Sequence, residues 1–378
     1  MRHSLILSAN ALPQRGGQGL NLCHMVRELQ AYFDLRLFCQ GLFPPVSTEV
    51  VPPSRLASWV GRVPVLRRWR DLTNRWSDVH FDHYVSQRLP RANLFQGVSG
   101  QCCETLKAAK ALGCRTVVDS ITVHIDDFVE QQRYECARFK VRPATTEGIR
   151  RRTVEEYRRA DLIRVLSERA KQTFVDRGLR NVVVARPRID VSEFPQATFE
   201  DARFRVSFVG LLEPWKGFHY LVEAFNGLEL PESELIFWGS TGSRPVAHYF
   251  REQMSRNPKI QIRPVEVRKC YGEVYGKSSV LVHPSLSEGF GYAVAEAMAS
   301  GLAVITTPAT GASELIVDGK NGYVVPPRDP EAIRDRLAHL AAHPALLQAM
   351  GAAARETMRS RNGSEWQDYA AALQRLAA

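Results

Sequence analysis

Short apolar, β-branched runs alternate with amphipathic stretches of helical period along most of the chain. That rhythm predicts βα units and parallel sheets. In the first half the predicted strands cover residues 4–8, 35–39, 93–98, 115–118, 162–166 and 181–185. After Pro195 the rhythm restarts, with strands predicted at 204–209, 234–238, 260–263, 280–283, 303–307 and 323–325. Between the two sets lies a stretch carrying Pro187 and Pro195, which marks a domain boundary. From Pro330 onward only helices are predicted, over 331–342, 344–359 and 364–376. The expected organisation is a first domain over 1–192, a second over 193–360, and a terminal helix over 361–378 that could cross back to the first. Two proline pairs, Pro44-Pro45 and Pro52-Pro53, read as breaks inside the first domain.

Composition narrows the class. A chain of 378 residues, 44% apolar and 24% charged, excludes disorder, collagen and coiled coil. No apolar run approaches the roughly 18–20 residues that span a bilayer. The first eight residues read as a buried strand and not as an export signal. Seven cysteines without Cys-x-x-Cys spacing predict reduced thiols and a cytoplasmic location. A net charge of +10 favours an anionic partner, which composition alone leaves open between nucleic acid, membrane and phosphorylated substrate.

Two basic stretches bear on that choice. From Val65 to Trp76, Val65, Leu66, Trp69, Leu72 and Trp76 share one helical face, with Arg67, Arg68, Arg70 and Arg75 mostly opposite. The pattern suits a helix lying in a membrane interface, or equally one packed on its own sheet. Residues 133–164 hold ten basic and five acidic side chains, either a solvated face or a phosphate-attracting one. Neither stretch carries an aromatic-interleaved platform, so nucleic acid is not an expected partner.

The chemistry concentrates in four places. Residues 280–301 read as a buried strand, a loop with Glu288-Gly289-Phe290-Gly291, and a short helix carrying Glu296 and closed by Gly301. Open α/β sheets bind ligands at such strand ends, and the helix start suits an anion. Glu288 could be a cap and Glu296 a surface residue. The apolar neighbours of Glu296 nevertheless make it a carboxylate in need of partners. In Gly210-Leu211-Leu212-Glu213-Pro214-Trp215-Lys216-Gly217, Lys216 stands where it can neutralise phosphate as a point charge. The first loop carries Gly16, Gly17 and Gly19 before a helix predicted from Leu20 to Tyr32, and its spacing is not that of a dinucleotide fingerprint. His124 follows the strand at 115–118. His80 and His83 have metal-like spacing with no third ligand nearby and read as structural.

Pro-Ser-x-x-Glu288-Gly-Phe-Gly, then Glu296-Ala-Met-Ala-Ser-Gly and Val-Ile-Thr-Thr, resembles the retaining glycosyltransferases of family 4 in its Glu-x7-Glu setting. The likeness extends through Gly311-Ala312-Ser313-Glu314, Asp318-Gly319-Lys320-Asn321-Gly322 and Pro326-Pro327-Arg328-Asp329. It implies a GT-B fold, with two Rossmann-like α/β domains whose parallel sheets face a central cleft, and an all-helical C-terminal tail. It assigns Glu288 to the donor sugar, Glu296 to the nucleotide ribose and Lys216 to the diphosphate. Gly16, Gly17, Gly19, Gly289, Phe290 and Gly291 would approach the donor, with the base near Pro264 and Val265. His124 matches a histidine placed near the transferred sugar. The family's phosphate-binding arginine is replaced by Leu211, for which Arg244 or Arg268 are candidate substitutes.

The resemblance implies metal-independent, retaining transfer of a sugar from a nucleotide diphosphate to a glycan, lipid-linked or small-molecule acceptor. No resident cofactor is expected, and a peripheral position at the inner membrane face is. Two other readings share these residues: an epimerase or synthase using the same donor site, and a non-enzymatic basic protein whose donor site has degenerated.

Overall fold

The computed structural model describes every residue except 1, 15, 45, 55–69, 199–202, 265–270 and 362, and only the backbone of 70–74. The amphipathic stretch 65–76 therefore lies largely outside the described residues, as do Val265 and Arg268. Two units pack separately: residues 1–129, 143–187 and 363–378 form one, residues 130–142 and 188–362 the other.

The first unit holds seven parallel strands: β1 (Ser4–Ser8), β2 (Asp34–Cys39), β3 (Ser47–Val50), β4 (Leu94–Val98), β5 (Arg115–Ser120), β6 (Leu162–Val165) and β7 (Val182–Val184). Their order is β3-β2-β1-β4-β5-β6-β7. Leu5 and Leu7 enter one core with helix Gly16–Leu29 and the terminal helix Ser364–Ala377. Ile6, between them, enters the core on the other face with Phe81, Leu106 and Tyr157. Burial on both faces is why these strands read as continuous apolar runs.

Arg164 on β6 is fully buried. It donates to Asp119 Oδ1 and Asn21 Oδ1, each at 2.9 Å, and to the Ala185 carbonyl at 2.7 Å. The Trp366 ring of the terminal helix covers its guanidinium at 4.7 Å.

The second unit has six parallel strands: β8 (Phe204–Val209), β9 (Ser233–Trp238), β10 (Ile260–Arg263), β11 (Val280–His283), β12 (Ala303–Thr306) and β13 (Tyr323–Val324). Their order is β10-β9-β8-β11-β12-β13. Both sheets thus reverse direction of growth at one place, between β1 and β4 and between β8 and β11. That is the doubly wound, Rossmann-like pattern.

Three sequence expectations need correcting. β3 forms between the proline pairs that read as breaks. It is a polar edge strand, half exposed, so it lacks the apolar run that marks the others. The first helix begins at Gly16 and ends at Leu29, so the glycines occupy its first turn instead of a preceding loop. First-turn N–H groups need no helical acceptor, and at Gly19 a side chain would collide with the Leu12 carbonyl oxygen. Residues 130–142, read as part of the first domain, pack with the second unit. There the Phe139 ring meets Phe218 at 5.3 Å. The wholly buried Glu135 accepts from Arg328 Nε at 2.8 Å and lies 3.2 Å from His219 Nε2.

Candidate active site

The switch point of the second sheet gathers the charged groups. β8 ends at Val209, and a 3₁₀ turn, Pro214–Lys216, then delivers the lysine. Gly217 closes that turn at φ +71°, and a Cβ there would strike the carbonyl oxygen of Pro284. Only glycine lets the lysine turn lie flat on the chain leaving β11. Across the seam, the Leu286 N–H donates to the Trp215 carbonyl at 2.9 Å and the Ser285 hydroxyl to the same oxygen at 3.4 Å. This zipper brings Lys216 Nζ onto Glu288 Oε2 as a hydrogen-bonded ion pair, each side chain about one-fifth exposed.

Burial pushes the Glu288 carboxyl up, but the Lys216 ammonium and the nearby His283 outweigh it and hold it at about 2. Glu288 is therefore a carboxylate across the physiological range. His283, the last residue of β11, places Nε2 3.6 Å from Glu288 Oε2 and stacks on Phe208 with centroids 5.3 Å apart. Burial lowers its pKa, so it is neutral. Among the described residues neither ring nitrogen has a hydrogen-bond partner, nor do the buried hydroxyls of Ser287 and Thr310. Such a cluster of unsatisfied buried groups marks a site built for something other than the fold. Sequence reasoning missed His283, whose only signal is its place at a strand end.

Gly291 sits at φ +92° as the cap of helix Tyr292–Ala299, where a Cβ would press on the Thr310 methyl. The start of that helix thus stands at the end of the Glu288 loop. Gly289 lies within the same loop, and Phe290 is buried beside Tyr292. Glu296, nine-tenths buried on the helix, accepts a 2.6 Å hydrogen bond from the Tyr275 hydroxyl. Pro264 is exposed immediately after β10. Leu211 is 41% exposed at the position read as a missing arginine. Arg244, one candidate substitute, is exposed at the first position of helix Arg244–Arg256.

The remaining predicted residues belong to the first unit. Gly16 and Gly17 are exposed in the first helical turn, with open space where side chains would point. His124 is buried between Tyr157 and Phe174, at centroid distances of 5.2 and 5.1 Å. Its Nδ1 accepts from the Asp126 N–H at 3.2 Å, which puts the neutral ring's proton on Nε2. His80 and His83 meet the Pro52 carbonyl and Glu104, respectively. Among the described residues no group of three or more His, Cys, Asp or Glu is placed to hold a metal ion. None of their helices is long and apolar enough to cross a membrane. None of the six described cysteines is in a disulfide. Much of the basic run 133–164 is paired within the protein, as in Arg150 with Glu147, Arg159 with Glu155 and Arg164 with Asp119.

With this geometry in hand, comparison with known proteins fixes the class. The fold is GT-B. The Anabaena protein HepE, solved with UDP-glucose, aligns over 99% of this chain and 100% of its own with a TM-score of 0.75 at 16% identity. Residues 191–357, most of the second unit, match the family model described as glycosyl transferases group 1. A D-inositol 3-phosphate glycosyltransferase of Xylanimonas cellulosilytica is 28% identical over 215 residues, covering 52% of this chain and 50% of that protein. A capsular polysaccharide biosynthesis glycosyltransferase, CapM of Staphylococcus aureus, is 26% identical over 173 residues, 44% of each chain. The chain thus matches about half the length of these curated relatives.

Proposed function

We propose that the protein is a glycosyltransferase that moves a sugar from a nucleotide diphosphate donor to an acceptor, with retention and without a metal ion, in polysaccharide or glycoconjugate synthesis. The observation that carries this reading is the convergence of Lys216 and Glu288 on the switch point of the second sheet, beside a helix N-terminus. As the sugar departs, the leaving diphosphate gains negative charge. Lys216 and the N–H groups following Gly291 are fixed where that charge develops, so they stabilise the transition state without reorganising. Glu288, kept ionised by its neighbours, accepts hydrogen bonds from sugar hydroxyls. Glu296 does the same for the ribose. The acceptor attacks the face that the diphosphate leaves, and a phosphate oxygen takes its proton, so no covalent intermediate is needed.

UDP-, GDP- and ADP-sugars offered in turn, with release of the nucleotide as the signal, test the proposal. One donor class should be consumed in an acceptor-dependent way and its nucleoside diphosphate should raise the melting temperature. Turnover without acceptor would favour an epimerase or synthase. The absence of any thermal shift would remove the donor site altogether.

A further inference from the structure

Glu296 is held by a group that the motif does not contain. Tyr275 lies just after the short helix Tyr271–Val274, twenty-one residues earlier, and is wholly buried. Its hydroxyl is 2.6 Å from Glu296 Oε2. The ring is fixed from behind: Phe194 packs at a tilt on Tyr271 at 4.8 Å, and both rings approach Tyr275, at 6.4 and 5.9 Å. The Tyr275 N–H also donates to the Tyr271 carbonyl at 2.9 Å. A phenol that cannot swing therefore addresses one oxygen of a carboxylate on a neighbouring helix. A carboxylate free to rotate about its last bond would lose part of its hydrogen-bond energy to ordering when a ligand arrives. One already oriented does not.

We infer that Tyr275 is a positioning residue that orients the Glu296 carboxylate toward the vicinal hydroxyls of a ribose, so that it sets how strongly the site prefers a ribonucleotide over its deoxygenated analogue. The inference rests on the assignment of Glu296 to the donor ribose. A merely structural Tyr275 would support the fold and leave that preference alone.

The experiment compares binding of UDP, or whichever of UDP, GDP and ADP binds most tightly, with its 2′,3′-dideoxy analogue. In the native protein the ribonucleotide should bind tighter by about tenfold or more, the worth of a hydrogen bond to a charged group. In Tyr275→Phe that ratio should fall to about threefold or less, with the dideoxy analogue binding as before. The ratio is taken on one preparation, so a reduced folded fraction weakens both members alike and cancels. In Glu296→Gln, adding Tyr275→Phe should change nothing further.

A second readout is taken on the native chain. With 3-fluorotyrosine incorporated, the Tyr275 fluorine resonance, assigned by its absence from Tyr275→Phe or, should that variant not fold, by its persistence when each other tyrosine in turn is replaced by phenylalanine, should shift with the ribonucleotide and stay with the dideoxy form. Equal weakening of both ligands, or an undiminished ratio, would overturn the role of Tyr275. A native protein that binds none of the three nucleotides would overturn the donor-site reading instead, and this inference with it.

Discussion

The two units share a strand order but fill its point of reversal differently. In the second unit, the ends of β8 and β11 carry an ion pair, Lys216 with Glu288, backed by a neutral histidine. In the first, the ends of β1, β2 and β4 carry amides. The Asn10 N–H donates to Gln101 Oε1 at 2.8 Å, Gln40 Nε2 donates to Asn10 Oδ1 at 2.6 Å, and Gln101 Nε2 to Gln18 Oε1 at 3.2 Å. Asn10 Nδ2 also donates to Asp78 Oδ1 at 2.7 Å, and burial pushes that carboxyl up to about 6. One crevice is built on an ion pair, the other on amides gathered around a single carboxyl group. Strand order places a crevice, and the loops that leave the strands decide its chemistry.

The sharpest way to break the comparison is to discharge one crevice and leave the other intact. Lys216→Ala should lower transfer by about 10²–10³, the cost of removing one fixed donor from a developing anion. Its melting temperature should change far less, because in the proposed site the lysine serves the donor and not a core. Near-native turnover in a folded Lys216→Ala protein would take the residue out of the mechanism. Next in size is Gly217→Ala. A left-handed residue that also presses on the Pro284 carbonyl should cost about 3 kcal/mol, read from the urea midpoint. A midpoint unchanged within error would mean that the turn does not depend on glycine.

The first unit offers a pH test of similar kind. Burial, helped by Arg177 and Arg150 against Asp126 and Asp127, lowers the His124 pKa from 6.5 to about 4. The unfolded chain therefore binds a proton between those values that the folded chain refuses. This contribution to stability is complete above pH 6.5 and drains away as pH falls toward 4. Between pH 7 and 5 the loss should be about 2 kcal/mol. Replacing the ring by a neutral acceptor, His124→Asn, should flatten that slope. An unaltered slope would assign the acid sensitivity elsewhere. Smallest is Asn10→Ala, which removes the centre of the amide network. It should cost about 1 kcal/mol of stability and leave nucleotide affinity within about twofold of native, as calorimetry would show.

Both sheets were legible in the sequence because their strands are buried on two faces, which forces unbroken apolar runs such as Val280–His283. Ser47–Val50 was not legible, since an edge strand with one half-wet face has no such constraint. Glu288 and Lys216 could be read from their loops because glycines flank them for steric reasons that leave a trace in composition. Tyr275 and His283 left none: an aromatic residue in an apolar stretch looks like core until the fold sets a carboxylate beside it. Glu135 and Arg164 misled in the opposite sense. Each sits in a run that reads as either a solvated or a phosphate-attracting face, and each is wholly buried on specific partners. Sequence period shows which face a side chain takes, but not whether a second segment will cover it.

The covering of Arg164 by Trp366 has a consequence for the order in which the protein can be made. The charge belongs to the sixth strand of the first sheet, while its lid belongs to helix Ser364–Ala377. Between them the ribosome must synthesise the whole second unit. Until then the growing chain holds a first sheet with an apolar face bare and a guanidinium open to water, so the earlier-made half is the later to finish folding. A chain cut before Trp366 would therefore leave Arg164 without its lid and one face of the first sheet uncovered.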